Sequence, residues 1–102
     1  MTANALGLLG LARKAGKLEI GEEPVGAACR GHRAKLVLTA SDAAGNTAEK
    51  AARLARSAGV PCQTVSFSRE ELGAALGRRM CAVLALTDEG FARALLNRET
   101  VP

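Results

Sequence analysis

Short apolar runs alternating with helix-length amphipathic segments are the feature that most restricts the fold of this chain. Leu36-Val37-Leu38-Thr39-Ala40 and Cys81-Ala82-Val83-Leu84-Ala85-Leu86 have the length and continuity of strands buried on both faces. Around them lie segments with apolar residues at helical spacing. Residues 3–15 place Leu6, Leu9 and Ala12 with Leu8, Leu11 and Ala15 on a broad stripe, which predicts a helix well covered by the sheet or a neighbour. Residues 47–58 put Ala48, Ala51, Ala52, Ala55 and Ala58 on one face and Glu49, Lys50, Arg53 and Arg56 on the others. The alternation runs helix, strand, helix, strand to a last helix over 90–98, which implies helices on both faces of a central sheet. The expected fold is α/β: a three-layer α/β/α sandwich around a four-stranded mixed sheet, formed by one domain spanning 1–102.

Turn residues punctuate the same pattern. Lys14-Ala15-Gly16-Lys17 ends the first helix, with Gly16 suited to a left-handed C′ position and cations favoured by the helix dipole. Leu18-Glu19-Ile20 reads as a short strand, and Gly21 turns the chain into a helix whose amino end holds Glu22, Glu23 and a first-turn Pro24. That helix ends near Arg30-Gly31. Asn46 with Glu49 suggests a capping pair, Gly59 and Pro61 stop the next helix, and Cys62 to Phe67 alternates as a half-buried strand. Ser68-Arg69-Glu70-Glu71 has the form of a capping box for a helix through Leu76, closed by Gly77. Thr87-Asp88-Glu89-Gly90 is a turn that offers caps to the last helix, and the tail from Glu99 to Pro102 is expected to fray.

Composition narrows the function. Only 2% of residues are aromatic, Phe67 and Phe91, so no platform for stacking single-stranded bases exists. A net charge of +4 is compatible with an anionic partner. Cys29, Cys62 and Cys81 stand singly in apolar segments without metal-ligand spacing, and read as free thiols in a reducing compartment. No leader-like segment or membrane span is seen, so a soluble, cytoplasmic protein is expected.

Catalytic readings are thin. His32, the sole histidine, sits in the polar turn Arg30-Gly31-His32-Arg33, where exposure fits better than general-base chemistry. Ser41-Asp42 and Asp88-Glu89 follow strands, yet both pairs suit helix capping. Phosphate-binding and nucleophile-elbow motifs are absent. The reading is non-enzymatic, with no cofactor and no metal.

Five segments in register, LGLARKAGKLEIGEEPV, RAKLVLTASDAAGNT, GVP, LG..LG and AVLALTDEGFA, resemble the L7Ae/L30e/S12e superfamily of ribosomal and kink-turn RNA-binding proteins. The likeness covers residues 5–96 and is nearest to the small bacterial YlxQ-like branch. It implies an L30e-like fold, no catalysis, and a partner that is a structured RNA, ribosomal or otherwise kink-turn-containing, with ribosomal or translation-associated proteins as neighbours and no membrane. It further implies that tandem G·A pairs enter the amino end of the second helix. By this resemblance the RNA-binding residues are Gly21, Glu22 and Glu23 at that junction, Thr87, Asp88, Glu89 and Gly90 in the loop after the last strand, and Lys14 and Lys17 on phosphates.

The chain departs from the pattern at the junction. Where the family carries Asn or Lys, then Glu or Gln, then a lysine three further on, this chain has Glu23, Pro24 and Ala27. Carboxylates there satisfy the helix dipole and repel phosphate, but they can also accept from guanine N1–H and N2–H₂ groups. Glu22-Glu23-Pro24 therefore reads either as a good helix start or as a substitute base acceptor. A second reading is a ribosome-associated protein-interaction module that kept the fold and lost kink-turn readout.

Overall fold

The computed structural model describes residues 3–100, with side chains described from 5 to 96. Helix α1 spans Ala3–Lys14, β1 Leu18–Ile20, α2 Glu22–Arg30, β2 Leu36–Thr39, α3 Gly45–Ala58, β3 Cys62–Thr64, α4 Arg69–Ala75, β4 Val83–Leu86 and α5 Glu89–Thr100. The four strands form one sheet in the order β1-β4-β2-β3. β4 runs antiparallel to both β1 and β2, while β2 and β3 are parallel, so the sheet is mixed as expected.

The two runs singled out in the sequence occupy the sheet centre, and every residue of β2 and β4 is buried. Their pleat sorts side chains by size. Leu36, Leu38, Leu84 and Leu86 enter one core with Ala5, Leu9 and Ala12 of α1, Leu72 of α4 and Ala92 and Leu95 of α5. Val37, Val83 and Ala85 enter the other with Val25, Ala28 and Cys29 of α2 and Ala51 and Ala55 of α3. Leucines fill the α1/α4/α5 side, whereas small side chains let α2 and α3 lie close on the opposite face. The result is the three-layer sandwich expected from the alternation.

Local punctuation follows the glycines. Gly16 and Gly59 take the left-handed conformation, with φ of 73° and 72°, after α1 and α3. Pro61 precedes β3, a three-residue strand at the sheet edge that pairs with β2.

Four expectations need correction. The α1 stripe is narrower than its apolar sequence, because only one side of the helix meets the core: Leu11 is 58% exposed and Ala15 is exposed. The Asn46–Glu49 cap does not form, since α3 already begins at Gly45 with Ala44 as its N-cap and no side-chain cap bond. β3 stops at Thr64 rather than Phe67; Val65 N–H still bonds to Thr39 O at 2.9 Å, and Ser41 N–H then bonds to Phe67 O at 2.8 Å as the chain turns toward α4. α5 starts at Glu89 and continues to Thr100, so of the tail only residues 101 and 102 lie outside the described residues.

Candidate nucleic-acid interface

Strand direction decides which loops can meet. Because β4 is antiparallel to β1, the residue after β1 lies beside the start of β4: Gly21 N–H bonds to Val83 O at 3.0 Å. Ala40 N–H bonds to Ala82 O at 2.9 Å, Cys81 N–H to Arg69 O at 3.0 Å, and Arg69 N–H to Asp42 Oδ1 at 2.8 Å. One end of the sheet therefore gathers the Gly21 junction, the Ala40–Ala44 loop, the start of α4 and the residues Cys81 and Ala82 that lead into β4. At the other end Thr87 N–H bonds to Lys17 O at 3.0 Å and Lys35 N–H to Leu86 O at 2.7 Å.

The expected surface is thus divided. Gly21, Glu22 and Glu23 share one end, while Lys14, Lys17 and Thr87-Asp88-Glu89-Gly90 lie at the opposite end, roughly 13 Å away along β1 at the usual rise per residue. The antiparallel β1–β4 pair forbids the loop after β4 from approaching the junction after β1. What does approach it is the Cys81–Ala82 end of a segment that begins with Arg78-Arg79, a pair readable from sequence as a solvated face or a phosphate contact and not among the expected binding residues. Its two exposed arginines and the 51% exposed Met80, unusual for so apolar a chain, were the available signal.

Helix ends at the Gly21 end are not alike. Gly21 has φ 102° and ψ 161°, a region open to glycine, and it gives α2 no side-chain cap. Val25 N–H returns to Gly21 O at 3.0 Å, and Pro24 has no N–H. The amides of Glu22 and Glu23 are left without a partner among the described residues. Ala44 likewise gives α3 no side-chain cap. These two open ends are neighbours, tied by Glu22: its Oε1 lies 3.4 Å from Lys50 Nζ, and its Oε2 accepts from Thr47 Oγ1 at 3.5 Å. Glu23 is exposed and has no ion pair among the described residues.

By contrast, α4 is closed by its own side chains. Glu71 N–H donates to Ser68 Oγ at 3.1 Å, and Ser68 N–H donates to Glu71 Oε1 at 2.8 Å, the capping box read from sequence. Asp88 serves α5 in the same way, accepting from Phe91 N–H at 2.9 Å, and Glu89 faces Arg93 at 3.9 Å.

Electrostatics separate engaged from free groups. The Arg69 backbone amide, aided by the Arg69 charge 3.5 Å away, holds the Asp42 carboxyl below its ordinary pKa. Asp42 therefore ties the β2 loop to α4 rather than capping α3. Arg78 and Arg79 carry no ion pair among the described residues and remain exposed. His32 is exposed with φ 58° in the turn after α2, far along that helix from Gly21. Burial pushes the Cys81 thiol up to about 11, and raises Cys29 and Cys62 above the ordinary thiol value. All three cysteines are free. Among the described residues no cluster of His, Cys, Asp and Glu could hold a metal, and no helix is long and apolar enough to cross a membrane.

The chain has clear relatives. Residues 3–96 match the model of the ribosomal protein L7Ae/L30e/S12e/Gadd45 family. The RNA-binding protein YlxQ of Bacillus subtilis (strain 168) is 43% identical over 90 residues, covering 88% of this chain and 89% of that protein. The RNA-binding protein YlxQ of Enterococcus faecium is 39% identical over 89 residues, covering 87% and 84%. A solved structure of a protein with unknown function from Bacillus halodurans C superposes with a TM-score of 0.87 at 36% identity, over 94% of this chain and 96% of that one.

Proposed function

Because the chain belongs to the ribosomal protein L7Ae/L30e/S12e/Gadd45 family, in its bacterial YlxQ-like branch, we propose that it is a non-catalytic RNA-binding protein that docks a kink-turn-like RNA where α2 and α3 begin. The observation that carries this reading is the pair of adjacent helix amino ends that no side chain caps. Amides at such ends bind phosphate, and the summed peptide dipoles favour it. Lys50, Arg78 and Arg79 supply positive charge for the RNA backbone.

Within this site the glutamates divide the work. Glu22 is engaged by Lys50 and Thr47, which offsets its repulsion of phosphate and fixes α2 against α3. Glu23 is free, and its carboxylate accepts from the N1–H and N2–H₂ edge of a guanine in a G·A pair. Met80 offers an apolar contact to the adjoining base. Lys14, Lys17 and the Thr87–Gly90 loop take no part in base readout; they meet only a stem long enough to run past the sheet to its far end. The RNA is ribosomal or another kink-turn-containing transcript, met in the cytoplasm beside translation proteins.

Titration against a kink-turn RNA, and against a copy whose G·A pairs are made Watson–Crick, tests the reading. A preference of about tenfold or more for the kink-turn is expected, since one good base contact discriminates by roughly 1–3 kcal/mol. Equal binding that falls steeply with salt overturns base readout and favours a protein-interaction module on the same fold.

A further inference from the structure

Helix α1 carries more apolar surface than the fold covers. Ala5, Leu9 and Ala12 are fully buried, while Leu11 is 58% exposed. Beside Leu11 a groove of about 420 Å³ runs between α1 and α4, lined by Leu6, Gly7, Gly10, Leu11 and Ala75, with Arg13 and Lys14 at one end. The charged residues that line this groove, Arg13 and Lys14, have one sign. α1 contains no acidic residue, and neither Arg13 nor Lys14 has an ion pair among the described residues. The Arg13 side chain lies beside Gly77, just before the exposed Arg78 and Arg79.

The glycines add an independent point. A Cβ on Gly7 would meet nothing within 4 Å, and one on Gly10 would meet only Ala75 O at 3.9 Å. The fold therefore does not need bare backbone at either position, although glycine weakens a helix interior. Bare backbone here leaves room for a second helix to lie close.

We propose that the α1–α4 groove docks an acidic amphipathic helix of a partner protein. Its leucines cover Leu6 and Leu11 above Gly7 and Gly10, and its carboxylates meet Arg13 and Lys14. The exposed leucine favours this occupant over RNA, whose backbone offers charge but no apolar ridge. The groove is lined by residues of α1 and α4 and by none of α2 or α3.

A labelled peptide of about 16 residues, with leucines at i, i+4 and i+7 and glutamates elsewhere, provides the probe for the intact protein. Fluorescence anisotropy at low salt compares it with a scrambled peptide of the same composition and with a version carrying lysines for glutamates. The acidic amphipathic peptide is expected to bind about tenfold more tightly than either. Leu11→Ser and Arg13→Ser each lose about tenfold, and Gly7→Leu, which fills the groove, loses more. Gly7→Ala raises the melting temperature yet weakens the peptide, a pairing that a purely structural role for Gly7 does not produce. RNA titration of Leu11→Ser stays unchanged. Any of three results overturns the proposal: equal binding of the scrambled peptide, full affinity in Gly7→Leu, or a loss of RNA affinity in Leu11→Ser matching its loss of peptide. Concentration-dependent dimerisation that Leu11→Ser abolishes assigns the groove to a second copy and overturns it as well.

Discussion

The start of α2 and the start of α4 lie at the same end of the sheet and are built to opposite ends. At α4 the Ser68–Glu71 box satisfies two backbone groups, Asp42 takes the amide of Arg69, and Cys81 N–H bonds to Arg69 O. At α2, Gly21 supplies no side chain, and Glu22 turns away to Lys50 and Thr47 of the next helix. A helix end that completes its own hydrogen bonds is a structural joint. One that leaves them incomplete, next to another in the same condition, is a surface with donors to spend on a ligand. The contrast teaches that capping state distinguishes helix ends that net charge alone does not.

Several variants would break or sharpen that contrast. The largest effect is expected at Gly73, where an added Cβ would stand 2.8 Å from Arg78 O and Arg79 C, so that this backbone must shift to admit it. Gly73→Ala should cost about 2–4 kcal/mol in urea unfolding. It should also disturb the Arg78–Ala82 segment, weakening RNA through that segment rather than through α2. Next comes alkaline destabilisation. A thiol whose folded pKa is raised to about 11 favours the folded state while protonated. That stability is complete below the unfolded thiol pKa and is lost as pH rises from about 9 to 11, on the order of 2–3 kcal/mol. Cys81→Ala should flatten the high-pH limb of a melting-temperature profile.

Smaller changes test the two ends directly. Ser68→Ala should cost about 1 kcal/mol by chemical denaturation and leave RNA affinity unchanged, because that end is closed to ligand. A loss of RNA affinity there would erase the distinction. Lys50→Ala is the mildest in stability, a few tenths of a kcal/mol at most for so exposed a pair. It should nonetheless weaken RNA several-fold and reduce the salt slope by about one unit, as measured by filter binding across salt concentrations.

Which parts of the molecule sequence reveals follows from the range of the forces involved. The buried runs of β2 and β4, the capping box at Ser68 and the glycine stop at Gly59 are local patterns, and each was legible. The start of α3 was misplaced because Asn46 looks like a cap only until Ala44 and Gly45 take helical hydrogen bonding. The arrangement of the candidate site was legible only in part. Gly21, Glu22 and Glu23 announce an amino end in their own sequence, but their neighbours depend on strand order and direction. Nothing within residues 81–83 says that they will lie beside residue 21; the antiparallel ladder between β1 and β4 does. The same ladder sends Thr87–Gly90 to the far side.

The outermost strands have a consequence for life at high concentration. β1 and β3 contribute three residues each to the sheet margins, and proline precedes the latter. Such margins give an incoming polypeptide too short a ladder to extend, so fibre growth by edge-to-edge addition has no foothold. Molecules crowded together can thus touch without polymerising.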